Sequence, residues 1–92
     1  MFDLTEKRAL VTGATGGIGA AIARALHAQG AEVALSGSRE ELLNQLAADL
    51  GARAHAIPCD LSDPQSVGDL PGRAAETMGG TEILVHCAGI TR

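Results

Sequence analysis

Apolar residues along the chain fall into short clusters that alternate between two kinds of pattern. Ala9, Leu10 and Val11 form a brief run closed by glycine, with none of the polar alternation of a half-exposed strand, which predicts a strand buried on both faces. Ile18, Ile22, Ala25 and Leu26 then recur at helical spacing with alanines between them and Gly30 as the stop, predicting a helix over 17–29. A second strand is predicted over 32–35, and Leu42, Leu43, Leu46 and Leu50 mark one face of a second helix ending at Gly51. A third strand follows over 53–57. Ser62 or Asp63 can then cap a third helix with Pro64 in its first turn. Val67, Leu70, Ala74 and Met78 continue that helix, but Pro71 and Gly72 interrupt it, and an interior proline costs about 3 kcal/mol, so a kink or two short helices are expected. Gly79 and Gly80 end it, and Ile83, Leu84 and Val85 predict a fourth buried strand over 82–87.

The order is βαβαβαβ. Strands alternating with helices of ten or more residues imply a parallel sheet with right-handed crossovers, helices on both faces and a binding crevice at the strands' carboxyl ends. Ninety-two residues make at most one domain. The chain stops five residues after the fourth strand, where a doubly wound sheet would normally continue, so the expected unit is a single Rossmann-type half spanning 1–92 and truncated there. Truncation would leave the fourth strand with an unprotected flank.

Composition narrows the chemistry. Seven basic against 11 acidic residues give a net charge of −4 with the basic groups scattered, which argues against nucleic acid. The N-terminus lacks the basic start and apolar run of a signal peptide, and no apolar stretch is long enough for a membrane, so the cytosol is the expected location. Cys59 and Cys87 have no metal-ligand spacing and read as small apolar core residues. His27 and His55 read as surface or half-buried residues. There is no tyrosine, and Lys7 is the only lysine, so a mechanism needing a tyrosine acid must look outside these residues.

The junction of the first strand and helix carries the strongest signal. Thr12, Gly13, Ala14, Thr15, Gly16, Gly17, Ile18 and Gly19 place four glycines in seven positions, where the chain must turn tightly, admit a ligand to the backbone and pack a helix end on a strand. Unpaired amides of the helix's first turn and its dipole favour an anion there, so a phosphate-bearing ligand is the natural occupant. The GxxxxGK[ST] cradle is absent, since Ile18 stands where its second glycine would be, and triphosphate hydrolysis falls away.

With these residues in view, the chain resembles the short-chain dehydrogenase/reductase family, whose TGxxxGxG fingerprint is met by Thr12, Gly13, Gly17 and Gly19. Because position 16 is also glycine, the octet satisfies the TGxxGxxG variant of the extended branch as well. The run Leu84 to Arg92 is similar to the "LVNNAGITR" of bacterial 3-oxoacyl-acyl-carrier-protein reductases and favours the shorter branch. The resemblance covers the whole chain and implies a sheet of strand order 3-2-1-4.

It also implies a nicotinamide dinucleotide on Gly13, Ala14, Thr15, Gly16, Gly17, Ile18 and Gly19. NADP is favoured over NAD, because the stretch after the second strand offers Ser38 and Arg39 to a 2′-phosphate and no acid before Glu40. One departure is Gly16, where several NADP-using relatives carry a basic residue. The resemblance further implies that Asp60 accepts from the adenine amino group, that Leu61 packs on the ring, and that Cys87, Ala88 and Gly89 lie beside the ribose. His86 and Cys87 stand where the family has two asparagines. The family's Ser, Tyr and Lys reaction centre, its acyl-carrier-protein contacts and its homo-oligomer helices all belong to the part of the fold after the fourth strand.

The expected function is thus the NADP(H)-binding part of a 3-oxoacyl-acyl-carrier-protein reductase of fatty acid biosynthesis, inactive by itself and without catalytic or metal-ligating residues of its own. The alternative is a non-catalytic nucleotide-binding or regulatory module of the same fold. An S-adenosylmethionine methyltransferase shares the acid after the third strand but normally wants another after the second, which Gly37 and Ser38 do not provide.

Overall fold

The computed structural model describes residues 5–14, 17–37, 39–59 and 63–86. Its elements run β1 (Arg8–Thr12), α1 (Gly17–Ala28), β2 (Glu32–Gly37), α2 (Glu40–Leu50), β3 (Ala54–Pro58), α3 (Pro64–Met78) and β4 (Ile83–His86). The strands form one parallel sheet in the order β3-β2-β1-β4. This is the doubly wound α/β arrangement expected from the alternation of strands and helices.

Alternate residues of the central strands supply two separate cores. Ala9 and Val11 of β1 and Val33 and Leu35 of β2 join Ala23 of α1 and Leu43 and Leu46 of α2 on one face. Leu10, Ala34 and Ile57 join Leu70, Ala74 and Met78 of α3 on the other. Because both faces are covered, β1 and β2 need apolar side chains at nearly every position, which is why they read as continuous runs. Cys59 is a free, buried thiol in the α3-side core, as its small apolar character suggested. Cys87 lies outside the described residues.

Three local expectations are corrected. First, α1 does not bury Ile18 and Ala25: Ile18 is 51% exposed and Ala25 is exposed, whereas Gly19 and Ala23 face the sheet with Ala20 and Leu26 half-buried. The helix is turned so that its smallest residues lie closest to β1. On α2, Leu42 is likewise exposed while Leu43 and Leu46 are buried.

Second, α3 runs as one helix through Pro71. Pro71 and Gly72 both sit on the exposed side, where solvent can satisfy the carbonyl that proline leaves unpaired, and Leu70, Ala74 and Met78 hold the opposite stripe on the sheet. Asp63 is the cap: its side chain accepts from the Gln65 amide at 3.1 Å and from the Ser66 hydroxyl at 3.2 Å.

Third, β4 is a border strand of the described sheet and not a buried one. Leu84 is 63% exposed, and Ile83 and Val85 are half-buried against the first core. The two described histidines outside β4 match their expected setting. His27 is half-buried with its Nε2 2.7 Å from the Ala52 carbonyl, and the His55 ring lies 2.5 Å from Glu32.

Candidate functional site

The carboxyl ends of three strands meet at one level, since Thr12 pairs with Ser36 of β2 on one side and His86 of β4 on the other. β1 is the strand from which the order runs outward in both directions, to β2 and β3 one way and to β4 the other. In open α/β sheets the crevice that takes a ligand lies at such a switch point. Thr12 is buried and its hydroxyl donates to the Val85 carbonyl at 3.4 Å, tying the strand ends together.

The turn after β1 is built by glycine chemistry. Gly13 takes φ +70°, a left-handed conformation that side chains disfavour, and so turns the chain away from the sheet. Ala14 is fully buried and its amide donates to the Ser36 carbonyl at 2.9 Å, so this amide is committed to anchoring the turn on β2. Gly19 is the close-packing position: a Cβ there would stand 2.2 Å from the Gly13 carbonyl oxygen. Only glycine lets the first turn of α1 rest on the backbone it has just left.

Gly17 behaves differently. It opens α1, is exposed, and a Cβ built on it would meet nothing within 4 Å. The first-turn amides of α1 have no helical acceptor, and at Gly17 no side chain stands between that turn and a ligand. A pyrophosphate fits this corner on three counts: first-turn amides that have no helical acceptor, a favourable dipole and open backbone. Ile18 projects beside it with half its surface in solvent. Thr15 and Gly16 lie outside the described residues.

Arg39 sits at the N-cap of α2 with a non-helical backbone (φ −102°, ψ 88°) and no side-chain cap bond. It is exposed, and among the described residues it forms no ion pair, so pairing with Glu40 or Glu41 does not occupy it. A hollow of about 500 Å³ lies beside it, lined by Arg39, Glu40, Glu41, Leu42 and Gln45. A cation at a helix N-terminus stands against the dipole, which an anion bound there would relieve. Ser38, Asp60, Leu61, Cys87, Ala88 and Gly89 lie outside the described residues. The structure therefore brings Gly13, Ala14, Gly17, Ile18 and Gly19 together at the end of β1 and places Arg39 past the end of β2.

Two features escaped the sequence reading. Ser36 is fully buried at the carboxyl end of β2 and its hydroxyl has no hydrogen-bond partner among the described residues. The only signal was one polar residue continuing an apolar run, and the strand was predicted to stop before it. Arg8 and Glu82 form a charged pair at the opposite, amino ends of β1 and β4. Seventy-four residues separate them, and no local pattern links them. Among the described residues no group of three His, Cys, Asp or Glu side chains is placed to hold a metal, and no helix is long and apolar enough to cross a membrane.

Comparison with known proteins agrees with this geometry. The chain is 54% identical over all its 92 residues to nodulation protein G of Rhizobium sp. (strain N33), covering 38% of that protein's length. Among solved structures it superposes on a 3-ketoacyl-(acyl-carrier-protein) reductase from Brucella melitensis complexed with NADH, with a TM-score of 0.83 and 29% identity over 89% of this chain and 34% of that one. It superposes equally well on the Pseudomonas aeruginosa RhlG/NADP active-site complex, with a TM-score of 0.83 and 36% identity over 92% of this chain and 35% of that one. The chain thus spans little more than a third of the proteins it matches. The short chain dehydrogenase family model matches residues 7–92, a span that includes the whole sheet and the glycine turn, and the chain belongs to that family.

Proposed function

We propose that residues 1–92 form the NADP(H)-binding part of an oxidoreductase that reduces a 3-oxoacyl-acyl-carrier-protein to the 3-hydroxyacyl form in fatty acid biosynthesis. The observation that carries the dinucleotide reading is the turn after β1, where Gly19 packs on Gly13 while Gly17 leaves the head of α1 open. On this reading the first-turn amides of α1 hold the pyrophosphate, Gly13 and Gly19 keep that helix end at the right height, and Ala14 braces the turn on β2. When bound, the nicotinamide supplies the hydride. The chain's own part is to bind and orient the cofactor. No tyrosine occurs among its residues, so on this reading the proton donor comes from sequence outside them, as do the acyl-carrier-protein contacts and the helices of a homo-oligomer.

The preference for NADP rests on Arg39, an exposed guanidinium beyond the end of β2 with no ion pair among the described residues, able to clamp a 2′-phosphate. One structural neighbour is complexed with NADH and another with NADP, so this fold accommodates either ligand and the choice lies in such local groups. The 3-oxoacyl substrate is supported by the reductase among the neighbours and by the run from Leu84 to Arg92.

The experiment is a pair of titrations, NADPH and NADH, against the full chain and its Arg39→Ala variant. Loss of a charge-assisted pair weakens NADPH by about tenfold while leaving NADH within twofold. An unchanged ratio removes Arg39 from the site, and failure of both dinucleotides to bind overturns the whole reading.

A further inference from the structure

β4 is held to β1 in a way that its own sequence does not explain. Ile83, Leu84 and Val85 are apolar at every position, so a shift of one residue along β1 exchanges like for like. Where a strand alternates, such a slip would turn its apolar set to solvent and be rejected. Here Leu84 is already 63% exposed, so burial discriminates weakly between one register and the next.

The discriminating contact lies at the other end of the strands. The Arg8 amide donates to Glu82 Oε1 at 2.8 Å, Arg8 Nε donates to the same oxygen at 3.1 Å, and Arg8 Nη2 donates to Glu82 Oε2. The Glu82 amide in turn donates to the Arg8 carbonyl at 2.9 Å. The guanidinium lies over the turn that leaves α3: a Cβ on Gly80 would stand 3.1 Å from Arg8 Cζ, and one on Gly79 3.4 Å from Nη1. Gly79 and Gly80 take positive φ, +84° and +151°, and their lack of a Cβ leaves room for the fork. One side chain thus joins the start of β1, the end of α3 and the start of β4.

We infer that the Arg8–Glu82 clamp sets the register of β4 against β1 and so positions the β4 end of the crevice, four residues away, relative to the glycine turn. A slip of one residue moves Glu82 by about 3.3 Å, beyond the reach of a two-pronged guanidinium contact. Glu82 is the only acid after Glu76, so no other carboxylate in the strand can replace it. A slip that set Glu82 opposite Lys7 would offer a point charge in place of a fork. Registers that cost little in apolar burial are therefore separated by this polar contact. The same slip would move His86 away from Thr12 and offset the strand ends at the switch point. The link to ligand binding rests on the dinucleotide reading, whereas the register claim stands without it.

The test compares amide hydrogen exchange in β4 and β2 of the full chain, with NADPH affinity measured alongside. Glu82→Gln is expected to lower protection of residues 83–86 by about tenfold, leave β2 within twofold, and weaken NADPH. The exchanged pair Arg8→Glu with Glu82→Arg is expected to recover protection over either single change. If Glu82→Gln does not fold, Arg8→Lys keeps the charge without the fork and is expected to loosen β4 selectively. Equal loss of protection in β2 and β4 would mean a general stabilising role and overturn the inference, as would unchanged exchange in β4. Selective loosening of β4 in a protein that binds no dinucleotide would retain the register claim and reject the functional reading alone.

Discussion

β2 and β4 flank the same strand by the same parallel pairing, yet different forces hold them. Val33, Ala34, Leu35 and Ser36 of β2 are all fully buried, because β3 continues the sheet beyond it and helices cover both faces. β4 has no described strand beyond it, exposes Leu84, and carries at its start a half-buried guanidinium–carboxylate fork, where β2 begins with Glu32 against the single ring nitrogen of His55. The contrast separates two tasks that sheets often combine. Burial places a strand in the centre at large free-energy gain but with little sense of direction along its axis. A guanidinium–carboxylate fork contributes less and is worth having where it is because it tolerates so little displacement.

The comparison can be broken most severely at the centre. Gly19→Ala puts a carbon 2.2 Å from the Gly13 carbonyl oxygen, which only lifting α1 off β1 can relieve. A loss of about 3 kcal/mol or more in urea unfolding is expected, together with loss of dinucleotide binding. Leu35→Ala empties a fully buried site of β2 and should cost about 3 kcal/mol by the same measurement, without changing which dinucleotide is preferred.

Acidification addresses the other strand. The side-chain hydrogen bond from Arg8 holds the Glu82 carboxyl below its usual range, reinforced by the Arg8 backbone amide and by the charge of Lys7. A lowered folded pKa means that the clamp's contribution is complete above the ordinary glutamate value of about 4.3 and is lost as pH falls through the lower folded value. Exchange of the β4 amides should therefore accelerate in that acid window, and Glu82→Gln should flatten the dependence. Leu84→Ser, on the exposed flank, should alter stability by less than about 0.5 kcal/mol in denaturant titration. A larger loss would show that β4 is buried in solution and remove the contrast with β2.

The glycine turn was legible because its signal is a missing side chain, and the structural demands on Gly13 and Gly19 come from neighbours only a few residues away. The inward face of α1 was misjudged for a related reason: hydropathy favours Ile18, but the need for Gly19 to touch the Gly13 carbonyl decides the helix's rotation. Pro71 looked like a break because local propensity weighs against it. Packing of Leu70, Ala74 and Met78 outweighs that cost, and the exposed side of the helix absorbs it. Ser36 and the Arg8–Glu82 clamp were illegible, since the first is defined by what surrounds it and the second by a partner 74 residues away.

From the sequence by itself came the order of strands and helices, their parallel arrangement and the position of the glycine turn, because periodicity and glycine's steric freedom are properties of adjacent residues. Only the tertiary structure decided which helix faces turn inward, that α3 passes unbroken through its proline, that Leu84 of β4 faces outward while its neighbours are half-buried, and that a charged clamp secures the strand. Each of these depends on contacts between residues far apart in the chain, whose free energies of burial and charge pairing exceed the local preferences they override.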